Sequence, residues 1–157
     1  MKKFLKNRKA KGFTLVELLI VLIIIGILAG ALLLVAGAGT DKANATKIVS
    51  NLRSMKAAGL MYYADQNTSW PDAIADLIPF MESGLASTDY DMTSADPDST
   101  GTNKTFVGYT GTLLDAGVNA KLEALQNSGV PIYPGTVDAP TSGNFEDGTK
   151  GCWMAIQ

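Results

Sequence analysis

From Leu18 to Gly39 the chain runs for 22 residues without a charged or strongly polar side chain. Wound as an α-helix at ~1.5 Å per residue, such a run is roughly 33 Å long, enough to cross a hydrocarbon core of ~30 Å. The first 12 residues hold Lys2, Lys3, Lys6, Arg8, Lys9 and Lys11 and no acid. A positive stretch ahead of an apolar one predicts that the N-terminus stays cytoplasmic and the rest lies outside. The whole chain is 157 residues, room for one modest domain beside this segment. The expected division is residues 1–12 as a basic leader, 13–39 as a membrane and assembly helix, and 40–157 as the helix continuation plus a small head.

One acid, Glu17, stands at the mouth of the apolar run, and a carboxylate placed there needs a partner. Three readings of the segment are open. A secretory signal peptide explains the positive start and the small residues Ala36-Gly37-Ala38, but the run exceeds the usual ~7–15 apolar residues. A plain membrane anchor explains length and charge bias but not why Glu17 follows Phe13 at a spacing of four. A cut between Gly12 and Phe13 explains both. It removes the basic leader and creates an α-amino group on Phe13, one helical turn from Glu17 or available to the Glu17 of a neighbouring chain. A pair of that kind fixes register more than it adds stability.

The stretch Lys11-Gly12-Phe13-Thr14-Leu15-Val16-Glu17-Leu18-Leu19-Ile20 resembles the leader and processing site of type IV pilins and of the pilin-like proteins of type II secretion. The resemblance is close over about the first 30 residues and architectural beyond them. It implies cleavage after Gly12 by a prepilin peptidase, N-methylation of Phe13, and polymerisation through the N-terminal helix, with Glu17 serving assembly. It also implies an inner-membrane assembly machinery as partner, lipid as the surroundings before assembly, and a cell-surface or periplasmic filament afterwards. Many type IVa pilins carry a proline in mid-helix where this chain has Leu34, so any kink or melting on assembly falls to Gly26, Gly30, Gly37 and Gly39. The Gly26-Ile27-Leu28-Ala29-Gly30 spacing also suits close helix approach in lipid.

Past Thr40-Asp41 the helical period persists. Ala45, Ile48, Val49, Leu52, Met55, Gly59 and Tyr62 or Tyr63 recur at three or four, with Lys42, Lys47, Arg53 and Lys56 on other faces. One helix from about Phe13 to Asp65 is expected, broken at Asn67-Thr68-Ser69. Pro71 and Asp72 read as the start of a second helix, striped by Ala73, Ile74, Leu77, Ile78 and Met81 and ended or kinked by Pro79. Residues 87–105 read as an exposed loop, Thr105–Thr110 as a strand, Val118–Gln126 as a short helix with Asn119 as a possible cap, Pro131–Lys150 as loops, and Gly151–Gln157 as a last strand pairing with Phe106–Tyr109. The expected class is α+β, with a few-stranded antiparallel sheet against the long helix.

The chemistry available is narrow. There is no histidine and one cysteine, Cys152, which removes imidazole-based triads and intramolecular disulfides; Cys152 reads as a small buried residue. Beyond the leader the chain carries seven basic side chains against all 15 acids, a net of −8, which argues against a nucleic-acid surface. Asp89, Asp91, Asp96 and Asp98 make the 87–105 loop a candidate calcium site, and the resemblance points to calcium in pseudopilins. Asp96-Pro97-Asp98-Ser99-Thr100-Gly101 imitates half an EF-hand loop, but Val107 stands where the closing glutamate belongs, so a solvated acidic loop is the expectation and no cofactor is assigned. The Asn44, Asn67 and Asn103 sequons read as chance matches. The chain is read as a structural subunit rather than an enzyme: a filament-forming pilin, alternatively a type II secretion pseudopilin, or, in a different class, a monomeric membrane-anchored binding domain.

Overall fold

The computed structural model describes residues 12–66, 69–81, 88–146 and 148–157. The basic leader before Gly12, the Asn67-Thr68 helix break and Ser87 at the head of the acidic loop lie outside the described residues, as do the side chains of Leu34, Val35, Ala36 and Ala38. The chain divides into two compact units, Met1–Gly37 and Ala38–Gln157.

Helix α1 (Leu15–Asp65) has 51 residues and begins in the first unit. Its stretch Leu15–Leu33 is long and apolar enough to cross a membrane, and none of it is buried. Gly26, Gly30, Gly37 and Gly39 are all helical, although each weakens a helix by about 1 kcal/mol relative to alanine.

The second unit is an α+β head built on the remainder of α1. Ala45, Ile48, Val49, Leu52, Met55 and Ala58 are buried there, spaced three or four apart so that they share one helix face. Gly59 completes that face: a Cβ on it would sit 2.9 Å from Ile156 Cδ1, so the absence of a side chain lets the segment around Ile156 approach. Tyr63 stacks on Trp70 at 4.2 Å between ring centroids, and Tyr62 meets Phe80 edge-on at 6.0 Å.

The sheet has four strands, β1 (Tyr90–Ala95), β2 (Lys104–Tyr109), β3 (Tyr133–Gly135) and β4 (Gly151–Ala155), in the order β1-β2-β4-β3. Every pair is antiparallel. The expected pairing of the last strand holds, with Phe106 opposite Ala155 and Tyr109 opposite Cys152. Val107, Tyr109, Cys152 and Met154 belong to the same core as the buried face of α1. On β4, Trp153 projects the other way, as strand alternation requires. Its indole spans Gly108, Gly135 and Gly151 of three adjacent strands, where a Cβ on any of the three would collide with the ring. Its Nε1 donates to the Thr136 carbonyl at 3.1 Å.

Four sequence expectations need correction. The acidic loop contains a strand, β1, at the sheet edge. Its polar composition hid it, because an edge strand buries little: only Tyr90 is buried, with Met92 half-buried. The 131–150 stretch contains β3, too short for alternation to register. The second helix starts at Ile74, not Pro71, and spans only α2 (Ile74–Leu77) before a 3₁₀ turn, Ile78–Phe80, that takes in Pro79. The Asp76 carboxylate accepts from the Asp72 and Ala73 N–H groups at 3.3 and 3.1 Å and so holds the entry turn outside the helix. Finally, Asn119 is no cap. Helix α3 (Ala116–Asn127) is capped by Asp115, whose Oδ1 accepts from Val118 N at 2.8 Å. Asn119 is buried and donates to the Glu146 and Thr149 carbonyls, tying α3 to the chain beyond β3.

Candidate assembly and processing site

Gly12, Phe13 and Thr14 precede α1 in non-helical backbone, and all three are exposed. A Cβ on Gly12 would meet no atom within 4 Å, so the peptide bond between Gly12 and Phe13 is open on its N-terminal side. Phe13 is 86% exposed, an aromatic ring presented to the surroundings rather than packed.

Glu17 is the third helical residue, and Thr14 stands at the N-cap. The Thr14 backbone N–H and hydroxyl each donate to Glu17 Oε2 at 2.8 Å, while the Glu17 N–H donates back to Thr14 Oγ1 at 3.2 Å. This reciprocal arrangement is a capping box, and it satisfies donors that a helix start otherwise leaves open. In the intact chain the partner of Glu17 is therefore Thr14. The order Thr14-Leu15-Val16-Glu17 is the T-x-x-E signature of such a cap, a local signal for Thr14 as the partner of Glu17 in place of a cation. A carboxylate at this end of a helix also faces the positive end of the helix dipole.

The four acids proposed for calcium do not converge. Asp96 lies between β1 and β2, where its Oδ1 accepts from Thr100 N and Oγ1 at 3.0 and 3.2 Å and its Oδ2 accepts from Gly101 N at 2.6 Å. The Thr100 N–H first, helped by Gly101, holds its carboxyl below the ordinary value. Both oxygens are thus engaged in shaping the turn between two strands. Asp98 pairs with Lys104 at 3.7 Å, Asp91 accepts from Met92 N at 2.7 Å, and Asp89 lies half-buried just ahead of β1. Among the described residues no three acids, histidines or cysteines are grouped for a metal, whereas calcium takes ~6–8 oxygens. Cys152 is buried in β4, and burial pushes its thiol well up, which leaves it protonated and inert.

Comparison with known proteins meets this geometry at the N-terminus. The family described as the prokaryotic N-terminal methylation motif matches residues 7–33. The type IV wide pilus major component PilA4 of Thermus thermophilus is 36% identical over 92 residues, which is 59% of this chain and 70% of that protein. Type II secretion system core protein G of Klebsiella michiganensis is 34% identical over 67 residues, 43% of this chain and 46% of its own length. No solved structure matches the chain. An exposed Gly-Phe junction, a capped glutamate and an uncovered apolar helix thus coincide with the matched motif, and the chain belongs to the type IV pilin and pseudopilin family.

Proposed function

We propose that this chain is a structural subunit of a type IV pilus-like filament, made as a prepilin, cut after Gly12, N-methylated at Phe13 and polymerised through the apolar part of α1. The observation that carries this reading is Leu15–Leu33, an uncovered helical stretch introduced by the exposed Gly12–Phe13 junction. Burying apolar surface yields about 25 cal/mol per Å², so a helix of this kind rests either in lipid or against copies of itself. Its partners are then lipid before assembly, other copies of the chain afterwards, and a prepilin peptidase and inner-membrane machinery in between, with the N-terminus cytoplasmic in the precursor.

Within that reading Glu17 has two successive duties. Before assembly it closes the cap on Thr14. In the filament its second oxygen takes the Phe13 amine of an adjoining subunit, since an unpaired charge in an apolar core could cost ~3–5 kcal/mol. Glu17→Gln keeps an acceptor for Thr14 but loses the charge, and it is expected to leave insertion and cleavage intact while reducing filament number. Normal filament numbers from Glu17→Gln would remove the amine pairing and leave the cap as the role of Glu17.

The experiment is to shear the cell surface, image the released material and determine the mature N-terminus by mass. Long polymers whose chains start at methylated Phe13 are expected. Uncut, monomeric chains retained in the membrane would instead establish the anchored binding domain. A periplasmic polymer seen only on overproduction, with secretion lost on deletion, would favour the pseudopilin alternative, to which the resemblance to core protein G lends support.

A further inference from the structure

Between α1 and α3 runs a groove of about 440 Å³ lined by Lys42 and Lys121, the hydroxyls of Thr46 and Ser128, and the apolar side chain of Leu125. No carboxylate lines it among the described residues. Arg53 extends the positive charge along the Lys42 side of α1, about 20° around the helix from it, while Lys47 is exposed nearer the Asn51 side. None of these four cations forms an ion pair among the described residues, where Lys104 with Asp98 is the one pair formed.

The other flank is acidic. Asn51 lies about 180° around α1 from Lys42 at ~3.6 residues per turn, and its side chain donates to Tyr90 Oη on β1 at 2.6 Å. Strand β1 is one edge of the sheet, and α2 packs beside it. This flank carries Asp89 and Asp91 beside and on β1 and Asp72 just ahead of α2, while Asp96 is engaged in the β1–β2 turn and Asp98 is paired with Lys104. Helix α3 is tied to the opposite edge: Asn119 and Gln126 donate to the carbonyls of Ile132, Gly143, Glu146 and Thr149 around β3. The groove between α1 and α3 is therefore lined by two cations, with Asp41 lying against Gly117 of α3 beside it, and the β1/α2 flank carries carboxylates.

We infer that the groove between α1 and α3 receives the β1/α2 flank of a second copy of this chain, Lys42 and Lys121 meeting the carboxylates of Asp72, Asp89 and Asp91. This rests on the filament reading and adds to it the lateral contact between heads. A contact joining two different faces of identical subunits is heterologous, and when its rotation does not close it generates an open helical polymer. Complementary charge across such a contact sets register and speeds encounter, while the apolar helices supply area.

The test is complementation between two charge-reversed full-length chains. Lys42→Glu/Lys121→Glu leaves both flanks acidic, and Asp72→Lys/Asp91→Lys leaves both basic. Each alone is expected to lower sheared filament yield about tenfold or more, because like charges facing across an interface are strongly opposed, with membrane levels unchanged. Made together in one cell, each reversed face finds its opposite and filaments return as mixed polymers. Normal yield from either chain alone, or a mixture that stays bare while both chains keep wild-type near-ultraviolet circular dichroism, overturns the inference. If a reversed chain loses that signal, a Lys121→Cys/Asp91→Cys chain decides: oxidation should give a ladder of dimers, trimers and longer species, and monomers alone overturn the contact. Cys152 is buried and stays out of that reaction. Normal filaments with weaker retention of the Lys42→Glu/Lys121→Glu chain on phosphatidylglycerol vesicles would assign the groove to lipid phosphate and also overturn it. Absence of filaments in the wild type overturns the filament reading itself, a result distinct from failure of the groove alone.

Discussion

Two stretches of α1 obey opposite rules. Leu15–Leu33 leaves every apolar side chain uncovered, whereas Ala45, Ile48, Val49, Leu52, Met55 and Ala58 keep to one face and are buried under the head. The two stretches share a backbone and differ in periodicity. An all-round apolar surface has no polar side to give to water, so its partner must itself be apolar on all sides. A stripe accepts a single folded partner and leaves Lys47, Ser50 and Arg53 to solvent. The contrast teaches that the residues that stabilise the head and those that need an apolar partner outside it are separable parts of one element.

The sharpest way to break that contrast is one substitution made in both stretches. Leu52→Ala should lower head stability by ~2–5 kcal/mol, read as a fall in the near-ultraviolet melting temperature of the detergent-solubilised chain. Leu22→Ala should leave that transition where it is. Comparable losses at the two positions would mean that the first stretch also belongs to the head's core.

Ile24→Lys reverses the emphasis. A lysine at mid-helix costs ~2.5–3.5 kcal/mol for insertion, so the chain should shift from the membrane to the soluble fraction. Ser50→Lys, on the exposed face of the second stretch, should stay in the membrane. Full retention of Ile24→Lys would show that something other than lipid contact holds the chain there.

The two helix caps give a smaller effect. Asp115→Ala removes the side-chain acceptor for Val118 N and should cost the head about 1 kcal/mol. Thr14→Ala removes the hydroxyl that Glu17 pairs with, leaves the backbone N–H donor in place, and should leave the head's melting temperature unchanged. A drop with Thr14→Ala would couple the helix start to the head.

The smallest effect is an acid one. Asp96 has its folded pKa lowered, chiefly by the Thr100 N–H. Its contribution is present above the unfolded carboxyl value of ~3.9 and is lost as pH falls through the lower folded value. Asp96→Asn should therefore flatten part of the acid limb of the head's stability curve and change nothing in membrane retention. An unchanged acid limb would show that the turn between β1 and β2 does not depend on that charge.

The helix was legible because period and burial agree: Ile48, Leu52 and Met55 announce their face by spacing alone. The pairing of Phe106–Tyr109 with the last strand was legible because both segments are rich in β-formers. Strand β1 was not, since Asp91, Thr93 and Ser94 belong to an edge whose outer face meets water, and its composition matches that of a loop. The Trp153 packing was hidden because it depends on Gly108 standing opposite Trp153 and Gly135 opposite Gly151, a register that no local pattern encodes. At the N-terminus, Gly12, Phe13 and Glu17 stood out as a motif. Thr14 did not, because a carboxylate in an apolar run calls for a cation, whereas its partner is a hydroxyl and an N–H.

Strand β4 sits between β2 and β3, though it is synthesised after both. The sheet therefore has no centre until residue 155 exists, and the Lys56 ammonium reaches its carbonyl partner Ala155 across 99 positions of sequence. Pairings this distant are slow to form, and here they cannot begin during most of synthesis. The apolar stretch, complete by Leu33, is ready for lipid before the head has even its first strand. Until β4 is made, the β1–β2 pair and β3 have no strand between them, and closure of the head waits on the strand that comes last in this sequence.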